Sequence, residues 1–241
     1  ISLISLISVA GITVGVIALI VVLSVYAGFT DGLRDQILGI NSHIIVQHSS
    51  GAIDNYELSR DRVLTVPGVV GATPYLYAQT LVSGASGGSG VVLRGLDPET
   101  ADNVISLGSQ MIAGTMNDLN NDQGLSTPGI ILGTQLANDL RVGPGGKVRL
   151  ISPSGPLTPM GVIPKIKTCR VVGLFESGMY EYDSTLAYMS IGAVQEFLET
   201  GNVVHGLEVS VRKKELNKAD RIADAIRDKL GPGTIAKDWM E

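Results

Sequence analysis

The segment GASGG at 84–88 has the spacing G-x-S-x-G, in which a serine can act as the nucleophile of a hydrolase. That chemistry needs a sharp turn between a strand and a helix, because the turn exposes the serine oxygen to a base and to backbone N–H donors. The flanking segments 69–84 and 90–96 are both rich in β-branched residues, and both predict strands. The segment around Ser86 therefore predicts a flexible hairpin turn, and we expect no nucleophile there.

A second candidate is a calcium loop that starts at Asp118. Asp118, Asn120 and Asp122 have the spacing of the first ligands of an EF-hand loop. The turn position that requires glycine holds Gln123, however, and the last ligand position, which requires glutamate, holds Gly129. These residues therefore predict a solvated loop.

The run GPGGK at 143–147 resembles part of a phosphate-binding loop. The first glycine of that motif is missing, and Val148 stands where a serine or threonine would bind Mg²⁺. A turn that leads into a strand is the interpretation that fits these residues.

Histidine and cysteine offer no ligand set. His43 and His48 lie five residues apart on one predicted strand, so that their side chains point to opposite faces, and His205 has no ligand spacing to either. Cys169 is the lone cysteine and lies in a predicted strand, where it is interpreted as a small buried apolar residue. The sequence therefore predicts no catalytic residue, no metal ion and no cofactor.

The composition narrows the class of partner. The 241 residues carry a formal net charge of −5 and show no basic patch with interleaved aromatic residues. Nucleic acids are bound through clustered Lys and Arg, so the sequence predicts no nucleic-acid partner. The apolar content is 44%, and its excess is local, because residues 1–30 contain no charged side chain.

Residues 1–30 predict a transmembrane helix, because about 20 apolar residues suffice to cross the hydrocarbon core of a bilayer. The alternative is a signal peptide, which has a basic start, a shorter apolar stretch and a small-residue cleavage site, and this run has none of them. Small residues fall on one stripe of the helix and predict close packing against a second membrane helix. They are Ser8, Gly11, Gly15 and Ala18.

The residues after this helix indicate on which side of the membrane the chain continues. Residues 31–140 contain four arginines, no lysine and eleven acids. Cytoplasmic loops near a membrane are instead enriched in Lys and Arg, so we expect the bulk of the chain outside the cytoplasm. Apolar residues at helical spacing continue past the membrane helix and predict an amphipathic stalk over 31–42.

Beyond the stalk, the chain predicts an α+β fold. A strand, a helix, a Pro/Gly break and a second strand follow one another twice, about 160 residues apart. Two such units predict a split, ferredoxin-like α+β subdomain over 43–91 and 202–241. The residues between them, 92–201, predict a mostly β insertion subdomain with short helices at 135–140 and 191–200.

The last predicted helix, 214–230, is amphipathic. Its predicted apolar face contains Ala219, Ile222, Ala225, Ile226 and Leu230. We expect this face to lie on the sheet of the split subdomain.

The connection GPLTPMGVIPKIK at 155–167 is long for a link between two strands. Its flanks, 147–152 and 168–175, both predict strands, and a hairpin needs only about two to five linking residues. The connection contains three prolines, which fix the backbone angle φ and remove N–H donors, and it contains no acid. These features predict a stiff, apolar connection.

Two stretches of the sequence carry a resemblance to a known family. They are SVAGITVGVIALIVVLSVYAGFTDGLRDQILGINSHI at 8–44 and LTPMGVIPKIKTCRVVGLFESGMYEYDSTLAY at 157–188. The chain resembles the transmembrane subunits, of the LolC/LolE type, of the bacterial lipoprotein-releasing (Lol) ABC transporter, within the wider MacB/FtsX permease family. The resemblance implies a membrane helix, then a MacB-like periplasmic domain, and three further membrane helices. We therefore expect this chain to be a fragment.

The resemblance also implies partners and a location. In this family the subunit lies in the bacterial inner membrane, with its bulk in the periplasm, and a separate cytoplasmic subunit is the ABC ATPase. A second membrane subunit completes a homodimer or a heterodimer. The substrate is a lipoprotein, and the protein itself is not expected to be an enzyme.

In this family, one type of membrane subunit has an extended loop, called the hook, that recruits a soluble periplasmic lipoprotein carrier. Residues 155–165 occupy the position of the hook. The resemblance implies that the carrier is bound by Pro156, Leu157, Pro159, Met160, Gly161, Val162, Ile163, Pro164, Lys165 and Lys167. A proline-stiffened loop loses little entropy on binding, and its apolar side chains provide anchors. The alternative is a loop that packs on its own domain.

Two other function classes remain open at this point. One is a MacB/FtsX-type mechanotransmission permease for efflux or for control of a cell-wall hydrolase, which we expect to lack the hook. The other is a membrane-anchored enzyme, which the incomplete motifs disfavour.

Overall fold

The computed structural model describes the chain except for residues 1, 41, 121–126, 154–156, 159–160 and 239–241. It describes the backbone alone for residues 4, 31–40, 157–158, 161–162 and 213. The chain divides into two units, Ile1–Ile40 and Asn41–Glu241.

The first unit is a single helix, α1, which spans Leu3–Ile40. Its segment Ser5–Thr30 has a mean hydropathy of 2.9 and is the one stretch, among the described residues, that is long and apolar enough to cross a membrane. The described large apolar side chains of α1 are all at least half exposed, as suits a surface that faces lipid. The helix continues to Ile40, but the predicted amphipathic face of residues 31–42 rests on side chains outside the described set.

The second unit combines strands with short helices. The strands in its described residues are β1 Ile44–His48, β2 Ile53–Asp54, β3 Val69–Ser83, β4 Gly88–Leu96, β5 Met111–Ala113, β6 Gly129–Gly133, β7 Lys147–Ser152, β8 Leu157–Thr158, β9 Gly161–Val162, β10 Lys165–Phe175, β11 Leu186–Ser190, β12 Val203–Val204, β13 Gly206–Val211 and β14 Thr234–Asp238. The helices are α2 Tyr56–Leu64, α3 Pro98–Ala101, α4 Leu107–Gln110, α5 Thr134–Leu140, α6 Tyr180–Thr185, α7 Ile191–Leu198 and α8 Ala219–Leu230, with 3₁₀ turns at Met116–Leu119 and Lys213–Lys218.

Four strands form the split α+β part of this unit. They lie in the order β14-β1-β13-β3, and every neighbouring pair is antiparallel. Each β-α-β unit is therefore split by a strand of the other unit, as in ferredoxin-like folds. Side chains of α2 and α8 pack with the strands in one core that includes Val46, Val63, Leu207, Val209 and Ile226. The predicted α+β class is confirmed.

The predicted face of the last helix is wrong at one position. Ala225 is exposed, and Ala223 is buried in its place. The helix proper begins at Ala219, after a 3₁₀ turn, and the buried residues follow at the spacing of one helical face, Ala219, Ile222, Ala223 and Ile226. Six residues past Ala219, at about 100° each, position 225 lies about 120° around the helix from Ala219, outside the buried face.

The strands of the middle region close into a ring. β3 pairs with β4, β4 with β11, β11 with β6, β6 with β10, β10 with β7, and β7 again with β3. Closure satisfies the backbone groups that an open sheet would leave at its edges. The long strand β3 therefore belongs both to this ring and to the split sheet, and the boundary expected between residues 91 and 92 falls within β4.

The central strands of the ring are covered on both faces. β6 (GIILG) is buried along its whole length, and so is β11 (LAYMS) except at its last residue. One face packs against α5 and α7 through residues such as Leu136 and Phe197. The other face packs against the segment 96–119. Burial on both faces explains why these strands are continuous apolar runs without polar alternation.

Candidate functional site

The serine motif lies in a hairpin turn, as predicted. β3 and β4 pair from Tyr75↔Leu96 to Ser83↔Gly88, and Ser86 lies between them. The Ser86 hydroxyl donates to the backbone carbonyl of Asp139 on α5, at 2.6 Å. This hydroxyl fastens the turn to a helix, which is a structural role.

Asp118 caps a 3₁₀ turn. Its carboxylate accepts from the backbone N–H of Thr115 at 2.8 Å and from the Thr115 hydroxyl at 2.9 Å. This reciprocal arrangement is a capping box. Asp122, the third residue of the incomplete calcium motif, lies outside the described residues.

The glycine-rich run before Lys147 is a turn against β10. The backbone N–H of Gly145 donates to the carbonyl of Val171 at 2.7 Å, and the N–H of Val171 donates to the carbonyl of Gly146 at 2.8 Å. Gly145 has a positive φ of 84°, which glycine adopts without steric cost. The predicted turn before a strand is what the structure contains.

The three histidines make hydrogen bonds at three separate places in the fold. Nδ1 of His43 accepts from the backbone N–H of Val211 at 3.0 Å, and Nδ1 of His205 accepts from the backbone N–H of Tyr77 at 3.2 Å. Burial lowers the pKa of His205, so that its ring stays neutral and Nδ1 remains an acceptor. Nδ1 of His48 lies 2.8 Å from the hydroxyl of Ser50.

The small residues of the predicted packing stripe lie along α1. Ser8, Gly11, Gly15 and Ala18 are all exposed. A Cβ atom added at Gly11 or at Gly15 would meet no atom within 4 Å. The stripe is therefore open for another helix to approach.

The connection that is predicted to form the hook begins where two long strands stop pairing. β7 and β10 pair up to Ser152↔Lys165, and residues 153–164 lie beyond this last pair. Within them, β8 and β9 form a short antiparallel ribbon with Leu157 opposite Val162. Ile163 is 56% exposed, whereas Pro156, Pro159 and Met160 lie outside the described residues.

The root of the hook presents different side chains to its two faces. Lys165 and Lys167 turn toward α7, where they contact Glu199 and Glu196 with Nζ–Oε distances of 2.7 Å each. Ile166 lies between them on the other face and is 60% exposed. The alternation Lys-Ile-Lys thus assigns charge to one face of β10 and an apolar side chain to the other.

An apolar row crosses the outer face of the ring beside the hook. Ile166 pairs with Ile151, and Ile151 pairs with Leu81, so that three side chains on neighbouring strands are aligned. Leu81 is 47% exposed. An open cleft of about 430 Å³ adjoins Leu81 and reaches Pro153, the first residue after β7. Contiguous apolar side chains at a surface are a common feature of interaction sites, so this row is a candidate for one.

A buried charged cluster joins the split sheet to the ring. Arg94 on β4 forms an ion pair with Glu208 on β13, and both side chains are at least 96% buried. The hydroxyl of Tyr77 donates to Oε1 of Glu208 at 3.1 Å, and the guanidinium carbon of Arg94 lies 5.8 Å from the ring centre of Tyr188. Burial, the largest single influence, lowers the pKa of Arg94, but Glu208, Tyr188 and Tyr77 together raise it further, so that the net shift is upward.

Sequence reasoning missed this cluster. The available signal was a single charge inside each of two apolar strands, VVLRGL and HGLEVSV. A lone charge in a buried strand implies a partner, since an unpaired charge is very costly there. The sequence does not say which acid that partner is.

Comparison with known proteins agrees with this fold. Residues 5–229 match the family model of the MacB-like periplasmic core domain. The transmembrane protein LolC of the lipoprotein-releasing system from Neisseria meningitidis serogroup B (strain ATCC BAA-335 / MC58) is 35% identical over 99% of this chain and 56% of its own length. The chain thus spans about half the length of the curated relatives it matches.

Two solved structures share the fold. The extracellular domain of the ABC-type transporter YknZ from Gram-positive bacteria matches 81% of this chain and 99% of its own length, with a TM-score of 0.54 and 13% identity. The periplasmic region of MacB from Actinobacillus actinomycetemcomitans matches 85% of this chain and 91% of its own length, with a TM-score of 0.54 and 12% identity. With its N-terminal transmembrane helix, the chain is a membrane protein that carries a periplasmic domain. The resemblance to Lol transmembrane subunits is confirmed, and the chain belongs to the family of MacB-like periplasmic core domains.

Proposed function

We propose that this chain is part of an ABC-transporter subunit that releases lipoproteins from the bacterial inner membrane and passes them to a soluble periplasmic carrier. The similarity to LolC supports the transport of lipoproteins. The apolar helix anchors the subunit, and the periplasmic domain receives the carrier. A separate cytoplasmic ATPase supplies the energy, and a second membrane subunit completes the transporter.

The observation that carries this proposal is the hook connection. A short turn would suffice to join Ser152 to Lys165, which already face each other in the β7–β10 ladder. The chain instead inserts residues 153–164. This segment contains Pro153 and three more of the chain's ten prolines. Ile163 at the base of this insertion is exposed to water, and the apolar row of Leu81, Ile151 and Ile166 lies beside it.

The chemistry of this surface suits a carrier of acylated proteins. Such a carrier must cover acyl chains and therefore has apolar surface of its own, which can pack on exposed isoleucine and leucine side chains. Each apolar anchor that becomes buried contributes about 1.5–3 kcal/mol. Two or three anchors, less the cost of association, give a complex that forms and dissociates readily.

The alternative function is a mechanotransmission permease for efflux or for control of a cell-wall hydrolase. It is supported by the fold shared with YknZ and MacB, at 13% and 12% identity. A permease of that kind has no need of a hook that binds a lipoprotein carrier. The two functions are therefore distinguished by what the hook contacts.

Photo-crosslinking in cells tests the proposal. A photoreactive residue is placed at Ile163 or at Met160 of the full-length subunit, in the assembled transporter, and captured proteins are identified by mass spectrometry. We expect the soluble lipoprotein carrier. Ile112 on β5 is the matched control, because it is an isoleucine of nearly equal exposure, 57%, on a different strand. Capture of only the transporter's own subunits at Ile163, or equal capture of the carrier at Ile112, would overturn the proposal.

A further inference from the structure

Two ion pairs connect the root of the hook to one helix. Nζ of Lys165 lies 2.7 Å from Oε2 of Glu199, and Nζ of Lys167 lies 2.7 Å from Oε1 of Glu196. Lys165 also donates to the backbone carbonyl of Leu198, the last residue of α7, at 3.4 Å. A cation at this end of a helix interacts favourably with the carbonyl groups that have no partner in the helix.

The helix that these ion pairs contact, α7, is fixed by packing in the core. Val194 and Phe197 of α7 are buried in the larger core of the ring, with Ala193 beside them. The same core contains Cys169 and Val171, which follow on the same face of β10 as the two lysines. Lys165 and Lys167 therefore connect the strand that leads into the hook to an element that is fixed by core packing.

Glu199 occupies a backbone position at which glycine is the usual residue. It ends α7 in the left-handed conformation, with φ of 59° and ψ of 37°. Glycine adopts this conformation without the steric cost that a Cβ atom brings. The position nevertheless holds an acid, and its carboxylate contacts the root of the hook.

We propose that Glu196 and Glu199 are positioning residues, which hold Lys165 and Lys167 and thereby set the direction in which the hook leaves the ring. The two lysines then act through α7 and are not contacts of the carrier. The apolar side chain between them, Ile166, is left on the open face with Ile151 and Leu81. The ion pairs themselves do not depend on the proposed function, whereas their effect on carrier binding rests on it.

Carrier capture provides the first test, in the full-length subunit of the assembled transporter with a photoreactive residue at Ile163. We expect Glu199→Gly to lower capture about two- to fivefold, the change that corresponds to a typical exposed ion pair. The same substitution removes the steric cost of the left-handed backbone, so the thermal stability of the subunit should stay equal or rise. A role of Glu199 in stability alone would move both quantities in the same direction.

Charge exchange provides the second test. Lys165→Glu alone should lower capture, and Lys165→Glu with Glu199→Lys should restore it to within about twofold of the wild type, because the pair is rebuilt with its charges reversed. Lys147→Glu is the matched control, since Lys147 is an exposed lysine at the far end of the same β7–β10 ladder. A lysine that contacts the carrier directly would leave the exchanged pair as weak as Lys165→Glu, and that result would overturn the proposal.

A distance measurement separates this inference from the proposed function. Spin labels at Ile163 and at the exposed Asn138 of α5 report the position of the hook root in the purified transporter without carrier. We expect a narrow distance distribution in the wild type and a clearly broader one in the variant Glu196→Gln with Glu199→Gly. An unchanged distribution would refute the positioning role, even if the carrier binds. A broader distribution, together with no carrier capture by the wild type, would support the positioning role and refute the proposed function.

Discussion

At the scale of single residues, Arg94 and Glu208 meet where the split sheet joins the ring. Moving two charges out of water is costly, and the cost is recovered only when each charge is paired and hydrogen-bonded. Glu208 receives hydrogen bonds from Arg94 and from Tyr77, and Arg94 lies over the ring of Tyr77 at 5.3 Å. The pair thus connects β4 with β13, the two strands that flank β3.

We predict that removing one charge of this pair is much more harmful than removing both. Glu208→Gln leaves the buried guanidinium of Arg94 without its counter-charge and should lower the free energy of unfolding by about 3–5 kcal/mol. Arg94→Met with Glu208→Leu fills a similar volume with apolar atoms and should lose much less. Denaturant unfolding of the full-length subunit in detergent, followed by circular dichroism, measures both. A double variant no more stable than Glu208→Gln would contradict this account.

The residue scale also shows what a sequence can reveal. The buried positions of α8 could be predicted except for the exchange of Ala223 and Ala225, since helical spacing constrains a face closely once the first helical residue is known. The partner of Arg94 could not be predicted, because it lies on β13, more than a hundred residues away in the chain. The contacts of Lys165 with Glu199 were hidden for the same reason: a charge pattern indicates the need for a partner but not its position.

At the scale of elements, the hook ribbon is an addition to a hairpin that is complete without it. The β7–β10 ladder continues through six residue pairs up to Ser152↔Lys165. β7 is further held by β3 on its other side. The flanking strands therefore have their partners irrespective of what connects them.

We predict that replacing residues 156–164 by a short Gly/Ser turn leaves the fold intact. Carrier capture and delivery of lipoproteins to the outer membrane should cease, because the apolar anchors are gone, whereas ATP hydrolysis by the associated ATPase should continue. Fractionation of cellular lipoproteins and an ATPase assay on the purified transporter measure these outcomes. Delivery of lipoproteins at the wild-type rate by the shortened subunit would show that the hook is dispensable.

The elements themselves could be predicted well and their closure could not. Alternating or continuous apolar runs marked β1, β3, β7, β10, β11 and β13, and Pro/Gly breaks marked the ends of α2 and α8. The ring closes because β7 pairs with both β10 and β3. No local sequence pattern shows which two strands a given strand will pair with. The connection at 155–167 could be recognised as unusual from its prolines and its length, whereas its interpretation as a hook comes from the resemblance to Lol subunits.

At the scale of the whole molecule, a membrane helix and a periplasmic domain are joined in one chain. The described side chains of α1 are exposed on every side, which requires lipid or other helices to cover them. Gly11 and Gly15 mark the stripe at which a second helix can approach most closely. We therefore propose that the small stripe serves assembly with another membrane helix.

We predict that Gly11→Leu and Gly15→Leu each weaken assembly of the transporter. A leucine side chain separates two helix backbones that small residues allow to touch. The periplasmic domain should remain folded, since none of the described buried side chains that form its cores belongs to α1. Co-purification of partner subunits in mild detergent measures assembly, with Val14→Leu as a control beside the stripe. Recovery of partner subunits equal to that of the wild type in both glycine variants would show that the stripe is not an interface.

The strand β3 gives the periplasmic domain a mechanical property. Its 15 residues extend over about 50 Å, from the split sheet at one end to the ring at the other. A force along this strand acts in shear on its hydrogen bonds to β13, β4 and β7. Many hydrogen bonds then resist the force at the same time. β3 is thus hydrogen-bonded into both the split sheet and the ring, and we expect the two parts to move together when either of them is displaced.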